Sequence, residues 1–157
     1  DAEDPHSFII SSGTVNIGVF TDIGIVCEQV IQHFKQCHAV FLEANYDEQM
    51  LRDGSYPYFL KQRITDGNGH LSNTQALELF RTHKPSFMSH LILSHLSKNN
   101  NNPELVRQLF SKYAAGTHIT IASRNRETEI FYINNTANLY HPVKRKKLAK
   151  QSQLSLF

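Results

Sequence analysis

Three short blocks of this sequence each place a metal-ligating or proton-transferring side chain directly after an apolar run. They are Thr21-Asp22-Ile23-Gly24, Gly69-His70-Leu71-Ser72-Asn73 and Leu93-Ser94-His95-Leu96-Ser97. A carboxylate at the end of a strand can bridge two divalent ions, and a neutral imidazole there is a good ligand for zinc or manganese. The blocks together predict half of a two-metal hydrolase site, with Asp22 and His95 as metal ligands.

Each of these residues also has a simpler interpretation. Asp22 could cap the helix that follows it, and a lone histidine such as His95 at a strand end is usually a hydrogen-bonded structural residue. His70 lies in a turn at a helix start, where backbone amides and the helix dipole favour an anion. The occurrence of all three blocks in one chain favours a common site over separate structural roles.

The elements that must position these residues follow from the hydrophobic periodicity. Runs rich in β-formers at 7–10 and 14–20 predict two antiparallel strands joined at Ser12-Gly13. An amphipathic helix over 25–36 and a buried strand over 38–43 follow, which implies a crossover connection and a largely sandwiched sheet.

The rest of the chain continues the alternation of helices and strands. We expect two short helices between 47 and 66, a helix over 73–82 capped by Ser72, a strand over 89–94, a helix over 103–114, and a closing hairpin formed by 117–122 and 129–133. This succession predicts an α/β fold.

Composition indicates one domain followed by a tail. The chain has 157 residues, 40% of them hydrophobic, and a net charge of +2. Lys144, Arg145, Lys146, Lys147 and Lys150 make the end basic, so we expect a domain over 1–140 and a basic tail over 141–157.

Cys27 and Cys37 lack paired spacing and are expected to be free buried thiols in a reducing compartment. With no signal-peptide pattern and no apolar stretch of membrane-spanning length, we expect a cytoplasmic protein without membrane contacts.

The three blocks, in this order and with this spacing, resemble the C-terminal half of the metallo-β-lactamase fold, and within it the YycJ/WalJ-type group of nucleases. The resemblance covers roughly residues 1 to 140. It implies the C-terminal half of a four-layer αββα sandwich that binds two divalent metal ions, zinc or manganese. It gives His95 the last metal-ligand role of the fold and makes Ser97, Asn99 and Asn100 candidate donors to a phosphate.

The resemblance also assigns catalytic roles. In the similar tRNA 3′-processing endoribonucleases (RNase Z) and RNase J-like enzymes, a Gly-His-x-Ser/Thr block supplies a histidine that contacts the scissile phosphate or protonates the leaving group. His70 matches that block. Glu43, in Leu42-Glu43-Ala44-Asn45, is similar to the Glu-Ala-Thr portion of an RNase Z block and would orient His70 by hydrogen bonding. Asn45 replaces the threonine, and a surface carboxylate at a strand end is the alternative for Glu43.

The family's first-half signature, His-x-His-x-Asp-His, is not found in this sequence. It would supply most of the metal ligands and the carboxylate that activates the water. The family also has an Asp-Ala-x-Asp-Pro segment just after a histidine ligand, and this chain begins with the similar segment 1–5. We therefore expect a fragment that starts in mid-domain, has an incomplete ligand set and is inactive alone.

The C-terminal residues match the bacterial sliding-clamp binding pentapeptide, Gln-Leu-Ser/Asp-Leu-Phe, at every position. They are Gln153, Leu154, Ser155, Leu156 and Phe157. Leu156 and Phe157 would be apolar anchors in a pocket of the clamp, with Gln153 providing polar specificity. The alternative is a hydrophobic end that folds back on the domain.

Together these observations predict a metal-dependent phosphodiesterase that hydrolyses nucleic acid by attack of a metal-activated water. The first interpretation is a DNA exonuclease linked to replication or mismatch repair through the sliding clamp. The alternatives are an RNA-processing nuclease of the same fold, for which the tail match is a coincidence, and a non-catalytic clamp-binding accessory protein.

Overall fold

The computed structural model describes residues 6–135, in which five strands form one mixed sheet in the order β1-β2-β3-β4-β5. The strands are β1 (Phe8–Ser12), β2 (Val15–Phe20), β3 (Ala39–Glu43), β4 (His90–Ser94) and β5 (His118–Ile121). β1 pairs antiparallel with β2, and the other neighbouring strands are parallel. The carboxyl ends of β2, β3 and β4 therefore meet at one edge of the sheet, as the α/β prediction requires.

Five helices connect the strands within the described residues. They are α1 (Glu28–Phe34), α2 (Glu48–Asp53), α3 (Tyr58–Thr65), α4 (Asn73–His83) and α5 (Pro103–Ser111). The predicted helices are all present, but α1 starts later than expected and its N-cap is Cys27. The interpretation of Asp22 as a helix cap is therefore wrong. Ser72 caps α4, as predicted, and the structure adds a full capping box with Gln75.

The hydrophobic core lies on one face of the sheet. Because side chains alternate along a strand, Val40 and Leu42 of β3 point to the same face as Leu91 and Leu93 of β4. These four residues are completely buried and belong to one apolar cluster with residues of α1, α4 and α5. Three helices therefore cover this face.

The opposite face carries apolar side chains that the described residues leave exposed. Phe8 pairs with Val19, which pairs with Phe41, so these residues form a row across three strands. Phe8 is 59% exposed and Phe41 is 39% exposed, and Ile10, next to this row, is 58% exposed. One face of this sheet is thus a covered core, and much of the other is an exposed apolar surface.

The predicted closing hairpin is wrong, because 129–133 contains no strand. The ring of Phe131 packs on the imidazoles of His90 and His118, at centroid distances of 5.1 and 5.7 Å. Ile130 and Tyr132, on either side, are exposed. The apolar alternation therefore arises from one packed ring and not from backbone pairing with β5.

Other predictions about the whole chain are tested only in part. Both cysteines are free, with Cys37 buried and Cys27 partly buried. No helix between residues 6 and 135 has the length and apolar character needed to cross a membrane. The tail over 141–157, including the pentapeptide, lies outside the described residues, so the domain division and the cytoplasmic location stay predictions.

Candidate metal centre

Four side chains converge at the carboxyl edge of the sheet. Asp22 follows β2, Glu43 ends β3, His95 follows β4, and His70 comes from the loop between α3 and α4. One potential ligand atom from each lies within 4.8 Å of those from the others. The structure therefore brings together both predicted metal ligands and both predicted catalytic residues.

Glu43 is the buried centre of this group. Its side chain has no exposed surface, and its Oε1 lies 2.7 Å from Nδ1 of His70 and 2.8 Å from Nδ1 of His95. Its other oxygen, Oε2, accepts a hydrogen bond of 3.0 Å from the backbone N–H of Ile23. One carboxylate thus contacts all three loops of the site, and the alternative of a surface carboxylate is wrong.

The ionisation of Glu43 follows from these contacts. Burial alone would raise the pKa of Glu43, but hydrogen bonding to His70 and His95 outweighs burial and lowers this pKa below its ordinary value. The same hydrogen bond to Glu43 raises the pKa of His95, against the opposing effect of desolvation. Glu43 is therefore a carboxylate at neutral pH and stabilises positive charge on His95.

Asp22 and His95 both have left-handed backbone conformations, with φ of 57° and 56°. This region is uncommon for residues other than glycine, although Asp, Asn and His enter it more often than most. Hydrogen bonds hold both turns in place. Oε2 of Glu43 accepts from the backbone N–H of Ile23, the residue after Asp22. The side-chain amide of Asn45 donates to the backbone carbonyl of His95 at 2.9 Å.

The loop of Asp22 packs directly on the loop of His70. A Cβ atom added to Gly24 would collide with the carbonyl oxygen of Gly67 and would lie 2.7 Å from the backbone nitrogen of Gly69. The two loops touch because position 24 lacks a side chain. The backbone N–H of His70 also donates to the carbonyl of Ile64 at 3.0 Å, which fixes this loop on the end of α3.

The donor set fits a divalent metal ion. Imidazole nitrogens and carboxylate oxygens are the usual ligands of zinc and manganese. Because Nδ1 of His95 faces Glu43, its Nε2 is the ring nitrogen that an ion could bind, and it lies 3.7 Å from Oδ1 of Asp22. A carboxylate that orients ligating histidines through the other ring nitrogen is the usual outer-shell arrangement of metal sites. Asp22 and His95, both partly exposed, are thus suited to hold an ion, with Glu43 behind them.

A cleft of about 320 Å³ opens beside His70 and His95. Ser97 lines it, whereas Asn99 and Asn100 are not among its lining residues. Asn99 donates to the hydroxyl of Tyr56, which does line the cleft, at 3.2 Å. Asn100 is almost completely buried, and its backbone N–H donates to Oγ of Ser97 at 3.2 Å. The structure therefore places Ser97 in the cleft, Asn99 at its rim beside Tyr56, and Asn100 behind Ser97.

Sequence reasoning missed residues that the fold brings to the site. Asn45 fixes the turn of His95, and Arg63 and Arg124 line the cleft. Asn101 donates from its side-chain amide to the carbonyls of Ala44 and Asn45, which anchors the asparagine loop beneath the site. The Leu-Glu-Ala-Asn block was a signal for Asn45, but nothing in the local sequence distinguishes Arg124 from other loop arginines.

The chain that forms this site is similar in sequence to proteins named as nucleases. The chain is 32% identical over 112 residues to the exodeoxyribonuclease YycJ of Bacillus anthracis. It is 34% identical over 105 residues to the exodeoxyribonuclease WalJ of Streptococcus pneumoniae. These matches cover 71% and 67% of the chain, but only 42% and 39% of the relatives. The chain thus spans about two fifths of the length of these relatives, and no protein-family model matches it.

Proposed function

We propose that this chain forms the C-terminal half of the catalytic domain of a metal-dependent exodeoxyribonuclease. The observation that carries the proposal is the convergence of Asp22, Glu43, His70 and His95 within 4.8 Å at the edge of the sheet. The relatives support the type of reaction, since both are named exodeoxyribonucleases. Their names favour DNA over RNA as the substrate, and RNA is the alternative.

The four-layer αββα sandwich is part of this proposal. Its support is the exposed apolar face of the sheet, where Phe8, Ile10 and Phe41 lack cover from the described residues. Contiguous exposed apolar surface of this kind usually marks an interface. A second sheet packed on this face would bury it and complete the sandwich.

Asp22 and His95 would hold metal in this scheme, together with ligands that the described residues do not supply. Two divalent ions, zinc or manganese, would supply an activated water and would neutralise charge on the scissile phosphate. Asp22 projects its carboxylate between His70 and His95, with Oδ1 at 3.9 Å from Nδ1 of His70 and 3.7 Å from Nε2 of His95.

His70 acts on the phosphate rather than as a primary ligand. Its side chain is only 15% exposed, and its Nδ1 contacts the Glu43 carboxylate. That contact orients the ring and makes Nε2 the atom that donates to the scissile phosphate or protonates the leaving oxygen. Glu43 is the positioning carboxylate for both histidines.

The asparagine loop and the tail complete the proposed contacts. Ser97 donates its hydroxyl to a phosphate in the cleft, supported by the backbone of Asn100, and Asn99 contributes its amide at the rim beside Tyr56. The pentapeptide of the tail, Gln153-Leu154-Ser155-Leu156-Phe157, binds the sliding clamp and brings the nuclease to replicating or repaired DNA.

The test compares two alanine variants of the intact protein. Asp22→Ala should abolish DNA hydrolysis and lower metal content measured by elemental analysis, while circular dichroism shows a folded protein. His70→Ala should keep its metal and lower turnover by about 10² to 10⁴, the usual effect of a positioned proton donor. His33→Ala, at an exposed position of α1, is the matched control and should behave as wild type.

The outcomes separate the alternatives. Wild-type metal content and turnover in Asp22→Ala would refute the metal role, and metal loss in His70→Ala would make His70 a ligand. Hydrolysis of RNA but not DNA by the wild-type protein would support the RNA-processing function. Clamp binding without hydrolysis of either would support the accessory protein.

A further inference from the structure

Two buried asparagine side chains form a reciprocal hydrogen-bonded pair behind the metal centre. Nδ2 of Asn101 donates to Oδ1 of Asn73 at 2.9 Å, and Nδ2 of Asn73 donates to Oδ1 of Asn101 at 3.0 Å. Both residues are almost completely shielded from solvent. Asn73 ends the block that contains His70 and begins α4, whereas Asn101 lies in the loop that follows His95. The pair therefore joins the two loops that carry the histidines of the site.

Asn101 also contacts the segment directly after β3, the strand that ends at Glu43. Its Nδ2 donates to the carbonyl of Ala44 at 2.8 Å and to the carbonyl of Asn45 at 3.0 Å. An amide NH₂ group has two hydrogens, so these two carbonyls and the partner amide share them. One side chain thus connects the end of β3 to both histidine loops.

Asn45 extends this connection to His95. The carbonyl of Asn45 accepts from the backbone N–H of Ser97 at 2.7 Å, and its backbone N–H donates to the carbonyl of Leu71 at 3.0 Å. Its side-chain amide donates to the carbonyl of His95, whose backbone is in the left-handed region. Asn45 is therefore held by Asn101 and in turn holds the turn of His95. A displacement of Asn45 would move that turn.

An asparagine is suited to this position because its amide both donates and accepts. A carboxylate lacks the donors that the carbonyls of Ala44 and Asn45 require, and an apolar side chain lacks donors and acceptors alike. Buried polar networks whose members are hydrogen-bonded make a structure rigid and specify one arrangement. Metal sites need such rigidity, since their ligands must be held within about 0.5 Å of the productive geometry.

We propose that Asn101 is a positioning residue of the metal centre and acts in a pair with Asn73. The pair sets the separation of the His70 and His95 imidazoles around Glu43. This inference rests on the proposed metal-dependent function and extends it, because it names the contacts that hold the segments of the site together. Asn101 acts through the backbone and through Asn45, and it contacts neither the ion nor the substrate.

The first experiment measures the zinc affinity of the intact protein and its variants by competition with a chromophoric chelator. Asn101→Ala should weaken zinc binding about 10-fold, which is the smaller end of the effect of groups that orient ligands. The matched control is Asn102→Ala in the same loop. The Asn102 side chain caps α5 by accepting from the N–H of Glu104 at 2.8 Å.

Both variants should lower the midpoint of urea denaturation, because each loses hydrogen bonds of the folded state. Only Asn101→Ala should lose zinc affinity, which separates a positioning role from a general loss of stability. Wild-type zinc affinity in Asn101→Ala, or an equal loss in Asn102→Ala, would overturn the proposal.

A second experiment tests whether the two asparagines act together. Because their side chains share two hydrogen bonds, the double variant Asn73→Ala with Asn101→Ala should lose less zinc affinity than the product of the two single losses. A loss equal to that product would reject the pair. Asn73→Ala is the milder change, since it keeps the bonds of Asn101 to the end of β3. If Asn101→Ala does not fold, Asn73→Ala decides alone, and wild-type zinc affinity in it would overturn the proposal.

A third measurement needs neither metal nor hydrolysis. NMR of the metal-free intact protein records the nitrogen signals of Nδ1 in His70 and His95, the atoms that contact Glu43. Asn101→Ala should shift both signals and Asn102→Ala neither, and unshifted signals in Asn101→Ala would count against the proposal. If the protein cuts no DNA but shows these patterns, the nuclease proposal fails and the positioning role stands. If it cuts DNA while Asn101→Ala keeps wild-type zinc affinity and imidazole signals, the positioning role fails alone.

Discussion

Replacing Glu43 with glutamine is the sharpest test of the site, because it keeps the size of the side chain and removes its charge. The two carboxylate oxygens face three N–H groups, those of His70, His95 and the Ile23 backbone. A glutamine amide has one accepting oxygen and one donating NH₂, so while both histidines carry their proton on Nδ1, either orientation points a donor at another donor. Leaving a buried donor without its acceptor costs about 1 to 3 kcal/mol.

We therefore expect Glu43→Gln to lower the free energy of unfolding by about 1 to 3 kcal/mol, measured by urea denaturation. Loss of an outer-shell partner should also weaken metal binding about 10- to 100-fold, measured by competition with a chromophoric chelator. In the metal-free protein, the pKa of His95 measured by NMR should fall, because its hydrogen bond to the carboxylate raises it in the wild type.

The matched control is Glu78→Gln, which changes an exposed carboxylate on α4 and should leave metal affinity unchanged. Wild-type stability and metal affinity in Glu43→Gln would refute the role of Glu43 as the common anchor of the three loops. A loss of stability with unchanged metal affinity would make Glu43 a structural residue only.

Three further predictions concern the loops, the pH dependence and the tail. Gly24→Ala should weaken metal binding in a chelator competition, because its Cβ would collide with Gly67 and displace the Asp22 loop; wild-type affinity would contradict the close packing. Burial, with the charge of His118, lowers the pKa of His90 to about 4. The unfolded chain therefore takes up a proton near pH 6.5 that the folded protein does not, so stability should fall as the pH decreases from about 6.5 to about 4. His90→Gln should flatten this slope in denaturation curves, and parallel slopes would count against the assignment. A peptide ending in the terminal pentapeptide should bind a bacterial sliding clamp with about micromolar affinity and lose it when Leu156 and Phe157 become alanine. No binding at high micromolar peptide would remove the link to replication.

The positions of Asp22 and His95 could be predicted because the ends of strands can be recognised in the sequence. An apolar run followed by a polar residue and a turn identifies the end of a strand, and the ends of adjacent parallel strands share an edge. The cap at Ser72 could be predicted for a similar reason, since a serine just before a helical pattern is a local signal. These features depend on local chemistry and a topology that the order of elements restricts strongly.

The burial of Glu43 could not be predicted in this way. A glutamate at a strand end has the same local pattern whether it is exposed or enclosed, and here three separate loops enclose it. Arg124 reaches the cleft through a loop whose path depends on contacts distant in sequence. The segment around Phe131 has the alternation of a strand, but the ring packs on two histidines that the pairing of β4 with β5 brings together.

The left-handed turns at Asp22 and His95 have a consequence for how this protein can evolve. A conformation that most side chains avoid restricts both positions to a few residue types, of which asparagine is among the most tolerant after glycine. A single nucleotide change converts the codon of either residue into one for asparagine. Such a change would remove a carboxylate or an imidazole while keeping the turn and the hydrogen bonds that hold it. In the proposed nuclease, catalysis could therefore be lost in one mutational step, with the smaller cost to folding at Asp22, because its carboxylate is partly exposed whereas His95 is bonded to the buried Glu43.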